Sequence, residues 1–191
     1  MYPEYVVAPD RFAGNSFLLR SYYPGDGPAL AEAVNGSYTH LRRFMTWSKP
    51  HTSVEEAEVL VRQFRGRYLL AEDFVIGIFD PTEHQLWGGT GFHLRLGPLS
   101  EARAEIGMWI RASEVGRGLG AAALRGMIQW GFTVWPWQYL AWRCHSENVA
   151  SARTALSAGM RLVERRRDDR DEGRADTLIF GMARAEWRGA P

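Results

Sequence analysis

The run Glu105-Ile-Gly-Met-Trp-Ile-Arg-Ala-Ser-Glu-Val-Gly-Arg-Gly-Leu-Gly-Ala-Ala-Ala-Leu124 sets three glycines at alternate positions, 116, 118 and 120, between an apolar segment and an alanine-rich helix start. Glycines lack the side chains that would hold a ligand off, so their backbone N–H groups can converge on it. The positive end of the following helix adds to the same field. The chemistry this suits is capture of an anion of diphosphate type; a tight turn without a ligand is the plainer alternative. A nucleoside-triphosphate loop would need Gly-x-x-x-x-Gly-Lys-Ser/Thr, and the sole lysine is Lys49. A dinucleotide-binding domain survives as a remote alternative, with Gly118-x-Gly120-x-x-Ala123 as the turn and Glu147 as the ribose acid. Two features oppose it: Arg111 to Val115 separate the glycines from their strand, and an antiparallel meander comes first.

Other reactive residue types read more quietly. Cys144 lies in an apolar strand-like segment and is expected to be a buried, inert thiol. His40, His51, His84, His93 and His145 show no metal-ligand spacing, and with a single cysteine no metal site is expected.

The elements that must position the glycine loop follow from periodicity. A strand is predicted over 16–20, before the turn Pro24-Gly25-Asp26-Gly27-Pro28. Helical spacing of apolar residues predicts helices over 29–44 and 54–69, the second opened by a Ser53/Glu56 capping box. Gly-interrupted apolar runs over 73–80, 86–96 and 104–110 predict an antiparallel meander. A helix over 119–133, a strand over 139–145, a helix over 149–158 and strands over 161–167 and 177–184 complete the order. The charged stretch 164–176 reads as a solvated hairpin. This is an α/β (α+β) layer structure of about seven strands, mostly antiparallel, with about four helices on it.

Length and composition bound the rest. One domain spanning 1–191 is expected, because 191 residues with 46% hydrophobic content can bury an ample core. The formal charge of +1 gives no general attraction to nucleic acid. No leader-like or 18-residue apolar run occurs, so neither export nor a membrane partner is expected. The lone cysteine fits a reducing, cytoplasmic setting.

Taken together, the residues resemble the GNAT superfamily of acyl-CoA-dependent N-acetyltransferases, and most closely its RimJ/RimL-like branch. The likeness runs from Phe17-Leu-Leu-Arg20 through His40-Leu-Arg-Arg-Phe-Met-Thr-Trp47, Ala104-Glu-Ile-Gly-Met-Trp-Ile110 and Gly116-Arg-Gly-Leu-Gly120 to Asn148-Val-Ala-Ser-Ala-Arg153 and Gly159-Met160. Val115 stands where the family's coenzyme loop usually has Gln or Arg, and Met160 where a Phe is usual.

The resemblance implies a single-domain GNAT fold with a splayed strand pair and acetyl-CoA as co-substrate. The coenzyme would lie along Met108, Trp109, Ile110, Val115, Gly116, Arg117, Gly118, Leu119, Gly120 and Ala121, with Asn148, Ser151 and Arg153 from the next helix. A backbone N–H near Met108 or Trp109 would stabilise the oxyanion. Many relatives protonate the leaving thiolate with a Tyr that is missing here, so Ser151 is the candidate acid. Glu105 is the candidate base, with Asp168, Asp169 or water as rivals, and Trp47 is expected to line the acceptor pocket. An α-amine costs only about 1.4 kcal/mol to deprotonate at pH 7 and a Lys-like amine about 4.6 kcal/mol, so the need for a base depends on the acceptor. That acceptor is expected to be a protein N-terminus, as on ribosomal proteins, or a small-molecule amine. A homodimer is compatible with the branch. The alternative from another class is a GNAT-fold acyl-CoA sensor or scaffold without turnover.

Overall fold

The structure, a computed structural model, describes residues 6–167 and 176–189. Eight strands form one sheet: β1 Arg11–Ala13, β2 Leu18–Ser21, β3 Phe74–Phe79, β4 Leu86–His93, β5 Arg103–Ile110, β6 Tyr139–His145, β7 Arg161–Arg166 and β8 Thr177–Ala183, in the spatial order β1-β2-β3-β4-β5-β6-β8-β7. Five helices accompany them: α1 Gly27–Asn35, α2 Tyr38–Leu41, α3 Val54–Leu69, α4 Leu119–Thr133 and α5 Val149–Ser157. Every strand pairing is antiparallel except β5 with β6, which the α4 crossover joins in parallel.

Strand alternation sorts the helices onto two faces. Leu18, Phe79 and Trp109 point to one side and pack with Leu30, Ala33 and Val61 of α1 and α3. Leu19, Ile76, Ile106 and Trp142 point to the other, against Ala123, Met127 and Ala155 of α4 and α5. The α3 start is built as the sequence predicts: the Ser53 hydroxyl accepts from the Glu56 amide at 3.2 Å, and the Glu56 carboxylate accepts from the Ser53 amide at 2.9 Å.

Two departures from the expected order have local causes. The predicted helix over 29–44 breaks at Asn35-Gly36-Ser37, where the Asn35 and Ser37 side chains take partners from outside the helix while the Ser37 hydroxyl donates back to the Ala33 carbonyl at 2.7 Å. Asn35 exchanges hydrogen bonds with the Thr52 backbone at 2.8 and 2.9 Å, and Ser37 Oγ accepts from the Ala112 amide at 2.9 Å. The first strand gains an edge partner, β1, too short to carry a readable alternation. The sheet therefore has eight strands and five helices where about seven and about four were expected. The β7 and β8 strands pair as a hairpin, and its tip, with Asp168 and Asp169, lies outside the described residues.

One irregularity matters for function. β5 pairs with β6 only over Arg103–Ile106 against Tyr139–Trp142. Beyond that point β5 stays with β4 and β6 stays with β8, so the two strands part and open a gap in the sheet.

Candidate active site

A cleft of about 1090 Å³ runs through this gap and is lined from both faces. Its first wall is the glycine loop. Gly116 and Gly118 have φ of +81° and +80°, a left-handed conformation that side-chain-bearing residues adopt at a cost, and a Cβ at either would meet nothing within 4 Å. The loop is thus bent by glycine and left open toward the cleft. The first hydrogen bond of α4 runs from the Ala122 amide to the Gly118 carbonyl at 3.1 Å. The N–H groups of Leu119, Gly120 and Ala121, which also line the cleft, are left without an acceptor by helix geometry. Free donors at a helix N-terminus behind a glycine turn suit a diphosphate.

The strand edge supplies a second set of donors. The Arg111 amide bonds the Trp87 carbonyl at 2.9 Å, which fixes the phase of the β4–β5 ladder. Trp109 and Gly107 then direct their backbone groups at β4, whereas Met108 and Ile110 direct theirs across the gap where β6 has departed. Of the two backbone donors expected from sequence, Met108 faces the gap and Trp109 does not.

The third wall is the start of α5. Asn148 caps it, its Oδ1 accepting from the Ser151 amide at 3.1 Å. Ser151 Oγ accepts from the Trp142 indole N–H at 3.0 Å, which fixes the oxygen on the cleft wall. Cys144 lies alongside, buried, and burial pushes its thiol up, only partly opposed by the Ser151 hydroxyl. A raised thiol holds less nucleophilic thiolate at neutral pH.

The opposite face carries different chemistry. Glu105, at 3% exposure, lies on β5 with Oε1 2.6 Å from Arg95 Nη1 and Oε2 2.7 Å from Arg143 Nη2. The Arg143 contact is off-axis, so Oε2 receives no aligned hydrogen bond. Directly across the ladder from Glu105 stands His93, whose Nδ1 is 2.7 Å from Asp73 Oδ1. Trp47, half exposed, meets Trp109 edge-on at 6.0 Å, and Phe44 stacks on His145. Arg43 and Arg67 also line this end, and among the described residues neither has a carboxylate partner.

Most of the residues expected from sequence therefore share one cleft: Met108, Trp109, Ile110, Val115, Gly116, Gly118, Leu119, Gly120, Ala121, Asn148, Ser151, Glu105 and Trp47 all line it. Arg117 and Arg153 do not. Arg117 is turned outward to Glu114 at 2.9 Å, and Arg153 is exposed on the far side of α5. His93, Asp73, Arg95, Arg143 and Thr154 line the cleft and were not singled out for a role in it. No local spacing joins Asp73 to His93; only the β3–β4 pairing does. Among the described residues no group of three or more His, Cys, Asp or Glu side chains could hold a metal ion, and no helix is long and apolar enough to cross a membrane.

Comparison with known proteins agrees with this geometry. The family model for the acetyltransferase (GNAT) domain matches residues 16–161. A search of curated proteins returns no match. Among solved structures, the chain is similar to RimL, a ribosomal L7/L12 α-N-protein acetyltransferase solved with coenzyme A, at TM-score 0.80 and 19% identity over 91% of this chain and 98% of that one. It is also similar to a ribosomal-protein-S5-alanine acetyltransferase from Vibrio fischeri, at TM-score 0.77 and 16% identity over 94% and 100% of the two chains. The microcin C7 self-immunity acetyltransferase MccE, solved with acetyl-CoA and AMP, superposes at TM-score 0.77 with 17% identity over 88% and 93%. The dinucleotide alternative falls with the family match, and Glu147 stands exposed in the turn before α5.

Proposed function

Because the chain belongs to the GNAT acetyltransferase family, and is thus an acyltransferase of acetyl-CoA with neighbours of the RimL type, we propose that it acetylates a primary amine by direct attack, with the α-amine of a protein N-terminus as the acceptor class. The observation that carries this is the gap between β5 and β6, which joins a donor-rich wall on one face of the sheet to a charged and aromatic pocket on the other. In this reading the diphosphate lies on the amides of 119–121, and the pantetheine arm pairs with the free edge of β5. The Met108 N–H then meets the charge that develops on the thioester oxygen. A preorganised donor of that kind is worth roughly 3 kcal/mol of barrier.

The side chains divide by face. Ser151, held by Trp142, protonates the departing thiolate. In this reading Glu105 acts as a positioning residue in place of the base expected from sequence: Oε1 accepts from Arg95, Oε2 stands beside Arg143, and the carboxylate holds those guanidinium groups at the acceptor end. The names of RimL and of the S5-alanine enzyme, which describe α-amino acceptors on ribosomal proteins, support the same acceptor class here. The pocket's mixture of Trp47, Phe44 and unpaired guanidinium groups suits a flexible peptide end.

The test is thiol release from acetyl-CoA with a panel of N-terminal peptides and small amines. Turnover highest for a free α-amine supports the proposal, and turnover only with side-chain or small-molecule amines changes the acceptor. Tight coenzyme binding with no release above the no-enzyme rate for any acceptor would make the protein an acyl-CoA sensor or scaffold.

A further inference from the structure

We propose that His93, oriented by Asp73, is the general base that takes the proton from the acceptor amine. This rests on the reading of the protein as an amine acetyltransferase. The register of β4 against β5 sets His93 directly opposite Glu105, on the acceptor face. Its Nδ1 is 2.7 Å from Asp73 Oδ1, just before β3, and both side chains are largely shielded, at 15% and 24% exposure. A carboxylate on Nδ1 holds the proton there, fixes the ring plane and leaves the lone pair on Nε2. That Nε2 lies over β5: a Cβ built on Gly107 would come within 3.0 Å of it. Gly107 immediately precedes Met108, whose N–H faces the gap. The ring that can accept a proton thus sits beside the amide that would polarise the thioester.

The charged and titratable groups that share this end of the cleft are Asp73 before β3, Glu105 on β5, Arg95 after β4, His40 and Arg43 at α2, Lys49 before α3, Arg67 near the end of α3, and Arg143 and His145 on β6. Glu105 sits between two of those guanidinium groups and His145 is stacked on Phe44, whereas Asp73 orients the His93 ring with Nε2 toward β5. The step balances as follows. The amine nitrogen forms the C–N bond to the thioester carbon and passes one proton to His93 Nε2. The C–S bond breaks, and the thiolate takes the Ser151 hydroxyl proton, which a solvent proton replaces. Amide and thiol are the products, and the proton on His93 returns to solvent. Base and acid then approach the same carbonyl from opposite faces, which only the gap between β5 and β6 permits.

The experiment uses the full chain with acetyl-CoA and the best acceptor from the thiol-release panel. His93→Ala should lower kcat 10²- to 10³-fold, within the range for loss of a general base, with coenzyme A affinity unchanged. Added imidazole should restore the rate several-fold, and the acidic limb of the kcat/KM profile should disappear. His93→Gln keeps a polar bond to Asp73 but cannot carry the proton, so it should be as slow as the alanine variant. Asp73→Asn, which acts only through the ring, should cost roughly tenfold and respond little to imidazole. A His93→Gln enzyme within threefold of wild type, or an alanine variant insensitive to imidazole with an intact acidic limb, overturns the dyad and leaves the acetyltransferase reading standing. A wild-type protein that releases no thiol with any amine overturns both.

Discussion

The glycine loop makes a prediction in which stability and binding move apart. Gly120 is the second residue of α4, with no left-handed φ, and a Cβ there would meet Ile110 at 3.7 Å and Thr154 at 3.9 Å, ordinary van der Waals contacts. Gly120→Ala should therefore be accepted by the unliganded protein. Removing a glycine from a compatible helical site stabilises by about 0.4–1 kcal/mol through the unfolded chain, equivalent to a rise of roughly 1–4 °C in Tm for a domain of this size. Gly118→Ala meets no atom within 4 Å but forces a side chain to φ +80°, so it should lose about 1–2 kcal/mol, or roughly 2–8 °C.

Coenzyme binding should fall for both. Each methyl stands where the diphosphate must come within hydrogen-bonding distance of the amides of 119–121, and one or two charge-assisted bonds at about 1.5 kcal/mol each correspond to about 10- to 10²-fold in Kd. Calorimetric titration with coenzyme A, beside thermal melts of the unliganded proteins, reads both quantities. A Gly120→Ala protein that melts higher yet binds coenzyme A as tightly as wild type would falsify the placement of the diphosphate. Loss of binding together with a collapsed melt would point instead to a loop that is purely structural.

Three further outcomes are expected. Ser151→Ala should reduce kcat about 10²-fold with coenzyme affinity retained, and an unchanged kcat would leave thiolate protonation to solvent. Trp47→Ala, which removes the exposed ring set against Trp109, should raise KM for the acceptor severalfold while leaving coenzyme A affinity alone, as separate titrations of the two substrates would reveal. Hydrogen bonds from Arg65 hold the Asp10 carboxyl below its ordinary value, so its contribution to stability is present above about pH 4 and is lost as the pH falls through the native value. Asp10 is partly exposed, which limits that contribution to under about 1 kcal/mol; Asp10→Asn should lower stability at pH 7 by that small amount and converge with wild type near pH 2 in denaturant titrations.

The sequence carried the fold wherever the physics is local. The α3 boundaries follow from a capping box and an apolar period that both act within four residues, and α4 and β6 begin and end where the glycine loop and the apolar run place them. The break between α1 and α2 was illegible because its cause is tertiary. The Asn35 side chain at the end of α1 bonds Thr52 and the Ser37 hydroxyl accepts from Ala112, and nothing in the window 29–44 announces those partners. The edge strand β1 was illegible for a different reason: three residues cannot show an alternation, and the pairing with β2 that creates it is set by the chain's return, not by its own composition.

The same division explains why one half of the site could be anticipated and the other could not. On the proposed coenzyme side the wall is backbone, so glycine at 116 and 118 leaves a signature in the sequence: those positions need φ near +80°, and other residues resist it. On the proposed acceptor side the wall is made of side chains from β4, β5 and β6 and the residue before β3, which meet only once the register is set. Glu105 is the candidate base in the sequence, and its burial between Arg95 and Arg143 depends on residues 10 and 38 positions away. His93 is one of five histidines without metal-ligand spacing, and Asp73 opens the apolar run 73–80; their 2.7 Å contact depends on β3 and β4 pairing so that the start of one lies beside the end of the other. Backbone geometry is local and marks the sequence, whereas side chains on rigid strands are read only from what those strands bring together across the gap.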